Sequence, residues 1–246
     1  MIRRKIISIF FALLLLFFFW GCKKENSCDC IKRSGDVVTL TREISDFTSI
    51  YVEDNLNVFI TEDPNFEVKI EAGENLIPLI KTEVVDGTLF IKNKNRCNWT
   101  RSYDKPFNVY IKMPLITYIT SDGTGDIKSL NTITSDVFHI RTKNSGNIEL
   151  TIDNSAIHSH MHGSCDVTLH GRTGEHSCSI GGTGYLYCQD LQTNYTWVHS
   201  YTVGMCYVSV KDLFVCIIDD IGDIYCYSHP TTVEKTQIGT GKLYLP

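Results

Sequence analysis

The sequence has no long basic run, and its 23 Lys and Arg are outnumbered by 28 Asp and Glu, for a formal net charge of −5. A nucleic-acid-binding chain needs a positive patch to replace the phosphate counterions, so the charge argues against nucleic acid as a partner. Also missing are a Gly-x-Ser-x-Gly nucleophile elbow, a phosphate-binding loop and a His-Glu-x-x-His zinc motif. Their absence removes the commonest hydrolase, nucleotide and metallopeptidase readings. There are ten cysteines but no Cys-x2-Cys spacing, which argues against a Cys2His2 zinc site. From residue 37 onward there is no sustained helical period.

What is present begins with a targeting segment. Arg3, Arg4 and Lys5 give a basic start, and Ile6 to Trp20 form an almost unbroken apolar run. The run falls short of the ~20 residues of a membrane span and suits a secretory signal. It ends in Gly21-Cys22, which resembles the lipobox of bacterial lipoproteins, with a plain signal-anchor as the rival. Residues 1–21 are therefore read as a lipoprotein signal peptide, Cys22 as the lipidated residue, and 22–36 as a polar tether. The expected location is the cell envelope, lipid-anchored to the outer membrane. Lys23, Lys24 and Glu25 carry no strong acidic export signal, so the surface and periplasmic faces both stay open. Asn98-Trp99-Thr100 and Asn194-Tyr195-Thr196 match a glycosylation pattern that is read as chance in such a lipoprotein.

Residues 37–246 are left to fold, enough for one large core or two small ones. Apolar residues alternate, as in Ile50/Val52, Val58/Ile60, Leu89/Ile91 and Val109/Ile111, and turn residues such as Asp86-Gly87 punctuate them. This pattern predicts a succession of short strands. The second half adds a repeat: GTGDI at 123, NSGNIEL at 144, GSCDVTL at 163, GTGYLYC at 182, GMCYVSV at 204, IGDIYC at 221 and GTGKLYL at 239. The aligned apolar position is Ile127, Ile148, Val167, Leu186, Val208, Ile224 and Leu243. A second column, ten residues earlier, is Thr117, Phe138, Ile157, His176, Val198, Phe214 and Val233. Two irregular spacings, 22 and then 16 residues, fall on one side of the coil. A period of about 19–20 residues marks a solenoid whose repeats bury their apolar faces only by stacking. At ~3.3 Å per residue one circuit is about 65 Å, which fits an all-β, three-sided β-helix with coils about 4.8 Å apart.

The segments FTSIYVEDNLNVFI, FEVKIEAGENL, VVDGTLFIKN and VYIKMPLITYITSDGTGDI, followed by the Gly-Ser/Thr-Gly repeats, resemble the head GIN domain lipoproteins of Gram-negative bacteria, a family named for auto-transporter adhesins. The resemblance runs from about residue 44 to 245 and rests on the order of the segments. It implies a right-handed, single-stranded β-helix that is secreted or on the cell surface, with no catalytic residues to carry over. The chain departs from the pattern where repeat glycines give way to Cys165 and Cys206, among others.

The register sorts the candidate site residues by the side they face. Tyr185, Tyr187, Tyr207, Tyr225 and Tyr244 point outward in a stripe, with Asp166 and Asp223 at its edge. Such rings could stack on sugars while the carboxylates take hydroxyls, or they could serve cross-strand packing alone. His139, His158 and His160 also point outward and could share a zinc or copper ion. No carboxylate is placed to orient them, and a solvated polar face explains them equally well. The expectation is thus no metal and no cofactor. Cys178 and Cys216 fall two coils apart with Ser200 between them, Cys188 and Cys226 with Val210 between, and Cys165 and Cys206 with Gly184 between. Two coils, about 9.6 Å, exceed the reach of a disulfide, so these six are expected unpaired. Pairing among Cys28, Cys30 and Cys97 stays open.

Asp122, Asp126, Asp166, Asp219, Asp220 and Asp223 are the acidic candidates for polysaccharide cleavage, but they sit at Gly turns where Asp is favoured by turn geometry. The expected function is a non-catalytic, lipid-anchored envelope protein that presents a binding surface to a glycan or another envelope or host molecule. A structural or assembly module of the envelope is the alternative, and a polysaccharide-acting enzyme the third reading. The final coil has little to cap it, which leaves room for a homodimer through that edge.

Overall fold

Alternation of buried and more exposed residues runs through most strands of the computed structural model, which describes residues 33–96 and 106–246. The signal segment, Cys22, Cys28, Cys30, Cys97 and Asn98-Trp99-Thr100 lie outside the described residues. The chain is nearly all β, a β-solenoid of about seven turns. Among the described residues one 3-10 turn, Ile77–Leu79, is the only helical piece.

The first coil is Ser49–Asp54 followed by Asn57–Glu62. An excursion then leaves the coil path. Ile80–Val85 and Thr88–Asn93 form an antiparallel hairpin across Asp86 (φ 48°) and Gly87 (φ 70°). Two consecutive left-handed residues are what a two-residue hairpin turn requires, and Asp-Gly supplies them. Glu67–Gly73 pairs antiparallel with both Val37–Arg42 and Asn108–Met113. Thr88–Asn93 of the hairpin and Asn108–Met113 lie parallel against the first coil, so its outer edge is paired. Coils stack regularly from Tyr118 onward, each a parallel partner of the last.

Two inward columns build the core. One runs Ile127, Ile148, Val167, Leu186, Cys206 and Ile224, all almost completely buried. The other runs Phe138, Ile157, His176, Thr196 and Phe214, equally buried. These columns correct the expected register in one coil. Cys206, not Val208, follows Leu186, and Val208 stands between Cys188 and Cys226. Thr196, not Val198, follows His176, and Val198 stands between Cys178 and Cys216. Leu186 to Cys206 is 20 residues and Cys206 to Ile224 is 18, in place of 22 and 16. The cause lies in the turn. A Cβ on Gly204 would meet the Gly184 carbonyl oxygen at 2.1 Å, so Gly204 itself stacks on Gly184 and fixes the coil. A slip of two residues keeps every side chain on its face, so alternation alone does not reveal it.

Cys165, Cys178, Cys188, Cys206, Cys216 and Cys226 are buried and free. Cys165 occupies the glycine column directly below Gly184, while Cys206 is a core residue and replaces no turn glycine. Burial pushes the Cys165 and Cys206 thiols up to about 12 and Cys216 up to about 11. These side chains therefore act as small apolar fillers rather than nucleophiles.

Candidate ligand-binding surfaces

One outward column crosses the whole solenoid. It runs Phe59, Lys128, Glu149, Thr168, Tyr187, Tyr207, Tyr225 and Tyr244. The four tyrosines stack at ring-centroid spacings of 5.3, 5.4 and 4.7 Å, with interplanar angles of 6°, 20° and 9°. Tyr185 sits outside the column, but its ring lies parallel to Tyr187 at 5.9 Å. Within the ladder each ring covers the face of the next, which stabilises the sheet by about 0.5–1.5 kcal/mol per pair. The faces so used are closed to a ligand.

The ladder stops at Tyr187. Its next neighbour toward the N-terminus is Thr168, then Glu149 and Lys128, whose side chains form an ion pair at 2.7 Å. The drop from a phenol ring to a threonine leaves a cleft of about 200 Å³, lined by Tyr187, Thr168, Glu149, Lys128, Asn147 and Asp166 among others. Burial raises the Tyr187 phenol above its ordinary value, followed by the Asp166 charge, so the hydroxyl stays protonated and can donate.

Asp166 and Asp223 have a structural duty as well. Asp166 Oδ1 accepts the Tyr185 N–H at 2.8 Å, and Asp223 Oδ1 accepts the Lys242 N–H at 2.8 Å. Asp126 and Asn147 make the same bond to the coil after them, at 3.1 Å each. These side chains staple one turn to the next, and the aspartates among them keep their second oxygen spare. Of the residues expected from sequence, Tyr187 and Asp166 meet in one cleft. Tyr207, Tyr225 and Tyr244 continue the ladder, with Asp223 beside Tyr225, away from that cleft. Lys128, Glu149 and Thr168 were missed, although each directly follows an inward-column residue, as Tyr187 does.

The histidines make a second outward face. Tyr118, His139 and His158 stack at 5.5 and 5.0 Å, and His160 meets His162 edge-on at 4.8 Å. Stacked rings carry their nitrogens in parallel planes, which does not aim them at one ion. Among the described residues no three His, Cys, Asp or Glu side chains converge as a metal site. Burial, with the neighbouring His158, lowers the pKa of His139; burial, with His162 and Arg141, lowers that of His160. The other acidic candidates are engaged too. Asp122 accepts from Tyr51 at 2.7 Å and pairs with Lys143 at 3.2 Å, Asp219 lies 3.5 Å from His199, and Asp220 caps the Ile221 N–H at 2.8 Å.

A larger feature went unseen in the sequence. A groove of about 830 Å³ follows the corner between the wall that carries the Tyr187 column and the wall that carries His158, past Ser155, Gly174, Asn194, Lys211 and His229. It lies just beyond the places where the ladder shifts register, between Glu149 and Thr151, Thr168 and Gly171, and Cys188 and Gln192.

A family model described as "Putative auto-transporter adhesin, head GIN domain" matches residues 46–230. A crystal structure of a "putative adhesin" from Bacteroides fragilis is similar at TM-score 0.81 and 21% identity, covering 86% of this chain and 97% of that one. A "putative lipid binding protein" from Parabacteroides distasonis matches at TM-score 0.70 and 19% identity, over 86% and 97% of the two chains. A "putative adhesin" from Parabacteroides merdae matches at TM-score 0.61 and 14% identity, over 86% and 98%. At these identities the likeness is one of fold. No curated protein matches.

Proposed function

Because the chain belongs to the family described as "Putative auto-transporter adhesin, head GIN domain", we propose that it is a non-catalytic, lipid-anchored envelope protein that holds a glycan on its solenoid. The lipid would sit on Cys22, behind the basic start and apolar run, and would tether the solenoid to the outer membrane. One observation carries the binding reading: the cleft at the end of the tyrosine ladder joins an aromatic face to hydrogen-bonding groups in about 200 Å³. A sugar ring would lay its C–H face on Tyr187 and give hydroxyls to Asp166, Asn147 and Glu149. The staple bond leaves one Asp166 oxygen for this purpose. The non-catalytic reading is supported by the acidic turn residues, each of which commits an oxygen to the next coil's amide or to a neighbouring cation.

The test is a glycan array probed with the protein lacking residues 1–22, followed by titration of any hit. Tyr187→Ala should weaken binding by about 1–2 kcal/mol, the worth of one aromatic platform, while Tyr225→Ala leaves it unchanged. Binding that survives Tyr187→Ala and Asp166→Asn would remove the cleft from the account. Turnover of the bound glycan would return the enzymatic reading.

A further inference from the structure

We propose that the corner groove is a second binding site, for a carboxylate-bearing oligosaccharide lying along the solenoid axis. The groove is long and shallow because it is assembled one residue per coil. Ser155, Gly174, Asn194, Lys211 and His229 come from five successive turns, four steps of about 4.8 Å, or about 19 Å in all. Asp153, Arg172, Gln192 and Ser209 form a row along one bank, each paired with the next. A smaller cleft of about 310 Å³ shares Asp153, Arg172 and Gln192 and extends the depression across that bank.

The wall is bent to make this space. Register shifts recur at the same level in successive coils, and irregularities of this kind re-aim side chains and turn a strand. Gly171 sits at φ +101°, with no room for a Cβ because the Ile152 carbonyl oxygen would lie 2.1 Å away. Gly174 and Ser155 keep the floor low.

The lining chooses the ligand. It offers hydroxyls and amides from Ser155, Gln192, Asn194 and Ser209, and no Phe, Tyr or Trp ring. A peptide would want apolar pockets for its side chains, which this lining lacks. A nucleic acid would want a denser row of cations than a chain of net charge −5 supplies. The local balance is nonetheless positive. Asp153 is the only acid in the lining, and both its oxygens are taken by Arg172, at 2.8 and 2.7 Å. Lys211 has no ion-pair partner among the described residues, and it lies in the same groove as His229. A chain of hydroxyls with a carboxylate at intervals would match amides and hydroxyls along the floor and place its charge at Lys211.

Titration with oligogalacturonate, with dextran as the neutral control, tests this on the protein lacking residues 1–22. The expected result is oligogalacturonate binding that weakens with added salt and dextran binding that is absent. Lys211→Glu should cut affinity about tenfold or more, and Asn194→Trp should block the groove sterically. Both positions are exposed, and an unchanged melting temperature verifies the fold of each variant. Tyr187→Ala should leave this binding intact, which separates the groove from the ladder cleft. The proposal is overturned by absent oligogalacturonate binding, by equal binding of dextran or of poly-glutamate, by indifference to both groove variants, or by loss in Tyr187→Ala.

Discussion

His176 lies in the middle of the core, between Ile157 and Thr196, with no exposed surface. Its Nε2 shares a 3.1 Å hydrogen bond with Ser159 Oγ, and its Nδ1 has no partner. Burial, with the nearby His158, drives its pKa down to about 4. An unfolded imidazole titrates near 6.5. Between those values the unfolded chain binds a proton that the folded chain refuses. The stability contribution is therefore complete above about pH 6.5 and is lost as pH falls toward 4. At pH 5 the loss amounts to about 2 kcal/mol. Denaturant midpoints at pH 7.5 and pH 5 should show that loss in the native protein and a much smaller one in His176→Val. Equal losses in both proteins would show that His176 is not the titrating group. The repeat pattern alone placed His176 and Ser159 on the inward side, because a period-two strand leaves no other choice. It could not supply the unpartnered Nδ1, which depends on what packs above and below.

At the scale of one coil, the turn rather than the strand sets the register. The sequence pattern recovered the inward columns in all but one coil, the outward tyrosines and the inward Cys178, Cys188, Cys216 and Cys226, while Cys206, expected at a turn, is a core residue. It misplaced Val208 and Val198 because two residues of slip preserve the face each side chain meets. The stacked glycines remove that ambiguity, since Gly204 lies against the Gly184 carbonyl and Gly222 against Gly204. Gly204→Ala should cost about 3 kcal/mol, the upper end for forcing an extra carbon into a filled site, because its neighbour is backbone and cannot turn aside. Chemical denaturation of the variant measures this cost, and a loss of about 1 kcal/mol or less would show that the Gly184 carbonyl does not confine this turn. The Tyr187 cleft was half legible. The column that places Tyr187 also places Thr168 and Glu149, but the drop in height between them appears only when side chains of different size are stacked. The corner groove was not legible, because it arises from shifts in pairing that leave no mark on hydrophobic alternation.

Along the whole molecule each coil touches only its neighbours, so stability is shared between adjacent turns rather than pooled. The two ends differ. The first coil is flanked by the parallel strands Thr88–Asn93 and Asn108–Met113, themselves backed by antiparallel partners. At the other end Thr232–Gln237 pairs, among the described residues, only with the strand Cys206–Ile218, and its residues are exposed or half-buried throughout. Among the described residues Leu243–Tyr244 likewise pairs only with Ile224–Cys226. Free energy of local opening falls where apolar contacts are few and one edge is unpaired. Among the coils from Tyr118 onward, amide exchange followed by mass spectrometry should therefore show the fastest strand exchange across 232–245, slower exchange in 206–218, and the strongest protection in 167–202, where long strands are paired on both sides. Tyr244 caps the tyrosine ladder from within that labile end. Tyr244→Ala should accordingly speed exchange in 224–226, its stacking partner's strand, and leave 167–202 unchanged. An effect spread evenly over all coils would mean that the solenoid unfolds as a single cooperative block, and nearest-neighbour stacking would then not be what governs its stability.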